Sequence, residues 1–342
     1  NSKKGNVIDG KVVFELYDTF GFPLDLTQLI AKSYDLSVDE TGFAKYLEEQ
    51  KNRSRAATSV DTEDWVYTEY GKSIQGEKET EFIGYDELET ECKIVRYRKV
   101  KAKNKEQYNL VINKTPFYAE SGGQVGDVGV LESVNEKINV TDTKKENGVF
   151  IHYCDKLPEN MNTVFQAKVD KSKRLYITNN HSATHLLHAA LRNVLGKHVE
   201  QKGSLVNDEH LRFDISHFSK ITAEELKEIE SIVNPKIREN IPVITELMGI
   251  ESAKKTGAMA LFGEKYGDVV RVVTIDKNFS LELCGGTHVT STGQIGFFKI
   301  VSEGAVAAGI RRIEAISSVK VEEYFENQIA TLHEIKNIFK SP

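Results

Sequence analysis

The chain has 342 residues, more than one hydrophobic core usually organises, so two or three domains are expected. Apolar residues make up 39% and charged residues 28%, the proportions of a water-soluble globular protein, and a formal net charge of −6 argues against a globally basic nucleic-acid binder. No run approaches the ~20 apolar residues that span a membrane. The start Asn1-Ser2-Lys3-Lys4 does not resemble a secretory signal, and three scattered cysteines give no disulfide framework, which points to a reducing cytoplasm.

Residues 1–60 read as helical. Apolar residues recur every three or four positions over 14–20, 24–32 and 40–55, with Gly21-Phe22-Pro23 breaking the first helix from the second. The absence of an initiator Met suggests a piece of a longer chain. Residues 61–84 are polar and mixed and read as a linker. Over 85–170 the pattern changes to short alternating runs at 93–100, 108–113, 128–134, 137–140, 148–153 and 163–169, as a small antiparallel β-barrel requires. The first of these opens a basic stretch, 92–105, with seven cations and no acid, which reads either as a solvated hairpin or as an RNA-facing surface. A glycine-rich loop, 116–127, contains Gly122 and Gly123, whose backbone N–H groups can approach a ligand or simply shape a tight turn.

The stretch Asn180-His181-Ser182-Ala183-Thr184-His185-Leu186-Leu187-His188 lies on a helix expected to open near Thr178 or Asn179 and stop at Gly196. On that helix His181 and His185 stand one turn apart on one face, suited to bind one ion from the same side. About a hundred residues later, Cys284-Gly285-Gly286-Thr287-His288 offers a thiol and an imidazole across a Gly-Gly pair expected to curl through φ > 0. Either half alone is easily a coincidence or an inert buried cysteine. Together His181, His185, Cys284 and His288 form a nitrogen/sulfur set that suits Zn²⁺ better than Mg²⁺ or Ca²⁺. His188 shares the helix face at i+7 and is expected to support the ligands or face a substrate. Lys171, Lys173 and Arg174 put positive charge just before the helix.

Paired strands at 201–206 and 211–215, a helix at 222–239, strands at 243–248, 269–275, 280–283 and 296–302, and an amphipathic helix at 319–339 complete the chain. The fold class is α+β and multidomain: a helical N-terminal segment, a small antiparallel β-barrel, and a core of antiparallel sheet with helices on one side, followed by the C-terminal amphipathic helix. No nucleotide-binding fingerprint occurs.

The His-containing helix, the Gln201-Lys202-Gly203-Ser204 element, the run from Gly257 to Asp268 and the Cys284-Gly285-Gly286-Thr287-His288 turn closely resemble the editing domain of alanyl-tRNA synthetases. The resemblance extends to the glycine-rich loop and to Glu303-Gly304-Ala305 through Arg311-Arg312-Ile313-Glu314-Ala315, and so covers nearly the whole chain. It implies that 1–60 is the end of a helical tRNA-recognition domain, 85–170 the barrel, 171–317 the editing domain with its zinc site, and 318–342 the start of a linker helix. It implies hydrolysis of tRNA(Ala) mischarged with serine or glycine, with no membrane or DNA partner. Gln201 matches the family's editing-pocket position, and Thr184 is the second candidate to hydrogen-bond the serine hydroxyl, with Gly122 and Gly123 beside them. Asp214 joins His188 as a possible support for the ligands, and Lys173, Arg174, Arg311 and Arg312 are candidate tRNA contacts. The class II ATP-binding and aminoacylation motifs are absent from the sequence, so charging of tRNA is not expected from this chain. The competing reading is a tRNA-binding module whose zinc is structural and which does not turn over.

Overall fold

The computed structural model describes residues 3–4, 7–57, 61–74, 79–102, 105–260 and 267–339. Lys103 of the basic stretch and 261–266 of the expected family motif lie outside these. The chain forms two compact units, residues 1–62 with 100–105, and residues 63–99 with 106–342.

In the first unit β1 (Lys3–Lys4) runs antiparallel to β2 (Val7–Ile8), followed by α1 (Gly10–Phe20), α2 (Leu24–Ser33), β3 (Ser37–Val38), which pairs parallel to β2, and α3 (Glu40–Ala57). Asp9 caps α1 by accepting from the Lys11 N–H, and Gly21 ends it at φ +65°. Val13, Phe14 and Phe43 fill the small core. The closing strand β4 (Asp61–Thr62) pairs with Val100 and Lys101.

The second unit begins with β5 (Val66–Tyr67), α4 (Glu69–Ser73) and β6 (Glu81–Phe82). The expected linker is therefore built into the fold. Trp65, Tyr70 and Ile74 pack against Val95, Val111 and Ile151. The barrel strands are β7 (Glu89–Ala102), β8 (Lys105–Ile112), β10 (Gly129–Glu132), β11 (Lys137–Glu146), β12 (Val149–Cys154) and β13 (Val164–Val169), with the short β9 (Lys114–Thr115) pairing with β6. The order β7-β13-β10-β11-β12-β8 returns to β7, which closes six strands into a barrel without a free edge. Ile94, Leu110, Ile112, Leu131, Ile138 and Phe165 fill it. On its outer side the Arg96 and Arg98 guanidinium groups lie 4.5 and 4.4 Å from the Trp65 ring centroid and pair with Glu79 and Glu146. These two cations of the basic stretch are thus paired within the protein.

The remaining core starts with α5 (Lys171–Val194), which opens seven residues before the Thr178 expected to cap it: the Asp170 carboxylate accepts from the Ser172 and Lys173 N–H groups. It is covered by β14 (Gln201–Val206), β15 (Leu211–Ser216), α6 (Ala223–Arg238), β16 (Ile244–Gly249), α7 (Ile250–Lys255), β17 (Val269–Asp276), β18 (Ser280–Leu283), β19 (Phe298–Ala307) and β20 (Ile310–Ser317). The expected single antiparallel sheet is two sheets, β14-β15-β20-β19 and β16-β17-β18, because 310–317 adds a fourth strand that pairs residue for residue with β15. Ala183, Leu186, Leu187, Ala190 and Leu191 turn one face of α5 into a core shared with Phe213, Ile229, Val233, Phe298 and Ile313. The helix α8 (Val319–Ile338) ends the described chain, with Phe325, Ile329 and Leu332 exposed. None of the helices described is long and apolar enough to cross a membrane.

Candidate metal centre

Burial of α5 on nearly every side forces its polar residues to find partners inside the protein. His181, Thr184, His185 and His188 follow one another at i, i+3, i+4 and i+7 and therefore line one stripe, which faces the turn after β18. There the His181 Nε2 lies 3.4 Å and the His288 Nε2 3.3 Å from the Cys284 Sγ. Ligand atoms of His181, His185, Cys284 and His288 all fall within 4.8 Å of one another. A tetrahedral zinc with ordinary Zn–S and Zn–N bonds would separate its sulfur and nitrogen ligands by roughly 3.6 Å, so the donors already stand near that spacing.

The other ring nitrogen of each histidine decides which one faces the sulfur. Gln124 Oε1 accepts from the His181 Nδ1 at 2.7 Å and from the Thr287 N–H at 2.9 Å, while the Gln124 amide donates to Thr287 Oγ1 at 3.0 Å. A Glu282 oxygen lies 3.0 Å from His185 Nδ1, and Ser182 Oγ lies 3.3 Å from His288 Nδ1. Three imidazoles therefore present Nε2 to one point. Electrostatics agree with a cation-binding set. Burial alone would push the Cys284 thiol up, but the surrounding His181, His288 and His185 hold it well below its ordinary range. Burial lowers His288 to about 3, so its ring is a neutral donor. Burial also disfavours charge on Glu282, yet His185 and His188 hold the carboxyl well below its ordinary range.

The glycines of the turn act by space, not by backbone sign. Neither Gly285 nor Gly286 has positive φ, against the expectation. A Cβ on Gly286 would sit 2.0 Å from the His181 ring and 2.9 Å from Gln124 Oε1, so only glycine lets the turn close on the helix. Tyr85 Oη donates to Gly285 O at 2.6 Å, Arg271 donates to Gly286 O at 2.6 Å, and the two side chains stack at 3.8 Å, bracing the turn.

A cleft of about 730 Å³ opens beside the four donors, lined among others by Gly122, Thr184, His188, Gln201 and Ser204. Thr184 donates to the Asn180 carbonyl at 2.8 Å, which leaves its oxygen free only to accept. Gly123 does not line the cleft: its carbonyl accepts from the Val206 N–H at 2.7 Å, and at φ +85° it presses the loop onto β14. Asp214 is likewise elsewhere. It alternates with the cleft-lining Phe213 along β15, points to the other face, and binds Arg312 at 2.7 and 2.8 Å. Arg311 is held by Glu303. Arg174 is buried, with Asp127, the Gly84 carbonyl and the Pro116 carbonyl as partners, so it fastens α5 to the barrel loop and is not available to a phosphate. Lys173 is half exposed, 3.5 Å from Asp208. The sequence reading missed Gln124, Glu282, Tyr85 and Arg271. Arg271 and Glu282 stood in expected strands, and only Gln124 stood in a loop singled out for ligand approach, where a glutamine among glycines gave no sign of what it would face.

A family model described as tRNA synthetases class II (A) matches residues 1–173, and one described as the threonyl and alanyl tRNA synthetase second additional domain matches residues 270–314, the span that holds Cys284 and His288. The alanine–tRNA ligase of Cytophaga hutchinsonii is 56% identical over the whole chain, and those of Bacteroides fragilis and Flavobacterium psychrophilum are 52% and 51% identical over 98% and 99% of it. The chain spans 37% to 39% of the length of these relatives. It belongs to the alanyl-tRNA synthetase family.

Proposed function

We propose that the chain is the editing part of an alanine–tRNA ligase and hydrolyses the ester of tRNA(Ala) mischarged with serine or glycine, with Zn²⁺ held by His181, His185, Cys284 and His288. The observation that carries this reading is the convergence of four donors on one point at the wall of a cleft large enough for an aminoacylated ribose. Bound there, the ion would polarise the ester carbonyl or lower the pKa of a water. Everything else falls to the protein. Gln124, Glu282 and Ser182 orient the imidazoles, and Thr184 and Gln201 offer oxygen acceptors to a serine hydroxyl. An alanine pocket rejects serine or glycine by only ~1–3 kcal/mol, whereas a site that hydrogen-bonds the hydroxyl leaves a buried group unpaired when alanine enters. Attachment of alanine to tRNA by the full-length protein is part of the same proposal, and the chain itself is proposed not to charge tRNA. The cytoplasm is the compartment proposed for it.

Four protein donors also describe a closed, structural site, and this favours the second reading, a tRNA-binding module that does not turn over. One experiment separates the two: zinc content and release of serine, glycine and alanine from the correspondingly charged tRNA(Ala). The proposal expects one zinc per chain and release of serine and glycine well ahead of alanine. Bound zinc with no release supports the structural reading, and full activity in a metal-free sample sinks the proposal.

A further inference from the structure

His188 is 2% exposed and lines the same cleft, yet it is not one of the four converging donors. Its Nδ1 lies 3.2 Å from one oxygen of Glu282, whose other oxygen is 3.0 Å from His185 Nδ1. An ionised carboxylate can only accept, so His188 carries a proton on Nδ1, and in the neutral ring Nε2 is then the acceptor. That Nε2 is buried and has no hydrogen-bond partner among the described residues. A buried acceptor left unpaired is costly and calls for an explanation, and this one belongs to a ring that lines the cleft. We infer that His188 is a specificity residue, whose Nε2 accepts a hydrogen bond from an N–H or O–H donor of the amino acid esterified to the RNA. The inference rests on the editing reading above.

Two donors fit this chemistry. The α-ammonium group is common to seryl and glycyl esters, and the side-chain hydroxyl is present only in the seryl ester. Nearby Thr184 has given its proton to Asn180 and can only accept as well, so the cleft places two acceptors side by side on α5 and asks for a ligand that donates.

The test uses the zinc-loaded chain and two non-hydrolysable probes, adenosine carrying serine or glycine through a 3′-amide. His188→Asn keeps an amide where Nδ1 meets Glu282 and removes the Nε2 position, whereas His188→Gln reaches the Nε2 position with an oxygen. Calorimetry is expected to show the seryl probe bound about tenfold more weakly by His188→Asn, at unchanged zinc content and melting temperature, with partial recovery in His188→Gln. Weakening of both probes assigns the contact to the ammonium, and weakening of the seryl probe alone assigns it to the hydroxyl. Wild-type affinity of His188→Asn for both overturns the inference while leaving the editing reading intact. A wild-type chain that binds neither probe fails that reading and takes the inference with it. Should the variants not fold, long-range ¹H–¹⁵N spectra of the wild type decide: an unprotonated His188 Nε2 that moves on addition of the seryl probe supports the contact, and one that stays put excludes it.

Discussion

The barrel and the helix-centred core each bury histidine, and they do it in opposite ways. His152 in β12 is fully buried: its Nδ1 donates to the Leu110 carbonyl at 3.2 Å and its Nε2 accepts from Thr115 Oγ1 at 2.7 Å, so one tautomer satisfies both nitrogens locally. In the core the Nδ1 atoms of His181 and His188 are satisfied in the same manner, but the Nε2 atoms of His181 and His288 are turned to one sulfur and that of His188 to no partner among the described residues. Burial of a polar ring is therefore no mark of function. What separates the two regions is whether both nitrogens are used up by the fold.

The largest test of that difference is Cys284→Ala. In the core it removes the sulfur on which the imidazoles converge, and we expect zinc to be lost and serine release from Ser-tRNA(Ala) to fall by at least about a hundredfold. The barrel strands supply none of the four donors, so Trp65 should still report a folded barrel in the variant. A Cys284→Ala chain that retains one zinc and full release would remove the distinction.

Next in size is the joint between the two regions. Arg174 and Asp127 form a buried pair, with side chains 7% and 1% exposed. Arg174→Met leaves the Asp127 carboxylate buried with, among the described residues, the Tyr118 N–H at 2.6 Å as the remaining partner of its side chain, and the expected loss is about 3–5 kcal/mol of stability in urea unfolding. If the variant lost zinc without losing stability, Arg174 would belong to the site and not to the framework.

A smaller effect comes from His152 itself, which burial lowers to about 4. The unfolded chain takes up a proton near the ordinary 6.5 and the folded chain does not until about 4. Stability from this ring is thus complete above pH 6.5 and declines as the pH falls toward 4, by about 3 kcal/mol in all. His152→Gln should flatten that slope in urea titrations at a series of pH values. An unchanged slope would show that the ring titrates normally and is not sealed in.

The contrast also explains what could be read in advance. Strand alternation marked all six barrel strands, since each has one face in the core and one outside. The four donors were legible because helical spacing and a rare Cys-Gly-Gly turn are local features. The partners that set their nitrogens were not: Gln124 lies 57 residues from His181, and Glu282 lies 97 from His185, so they meet only through tertiary folding. Arg174 misled for the same reason. A basic residue near a charged ligand looks like a phosphate contact until its buried carboxylate, 47 residues away, is in view. The linker at 61–84 was misread because polar composition hid Trp65, Tyr70 and Ile74, three apolar anchors spaced to cap one face of the barrel.

Gln124 gives the finest test, because it belongs to the barrel's loop and acts on the core's helix. Its oxygen holds the His181 proton on Nδ1 and also receives the Thr287 N–H, so one amide fixes both the helix and the turn that carries Cys284 and His288. Gln124→Met keeps the volume and removes the acceptor. His181 is then free to rotate or change tautomer, and zinc affinity should weaken by about 10- to 100-fold, as expected when a partner of a ligand is lost, with the four donors still present. Competition with a chelator of known affinity measures this directly. Gln124→Glu keeps an acceptor for both N–H groups but loses the donor to Thr287 Oγ1, and should fall between wild type and Gln124→Met. If Gln124→Met bound zinc as tightly as wild type, His181 would have to be oriented by the packing of Gly286 alone, and the barrel loop would be a neighbour of the site without a part in it.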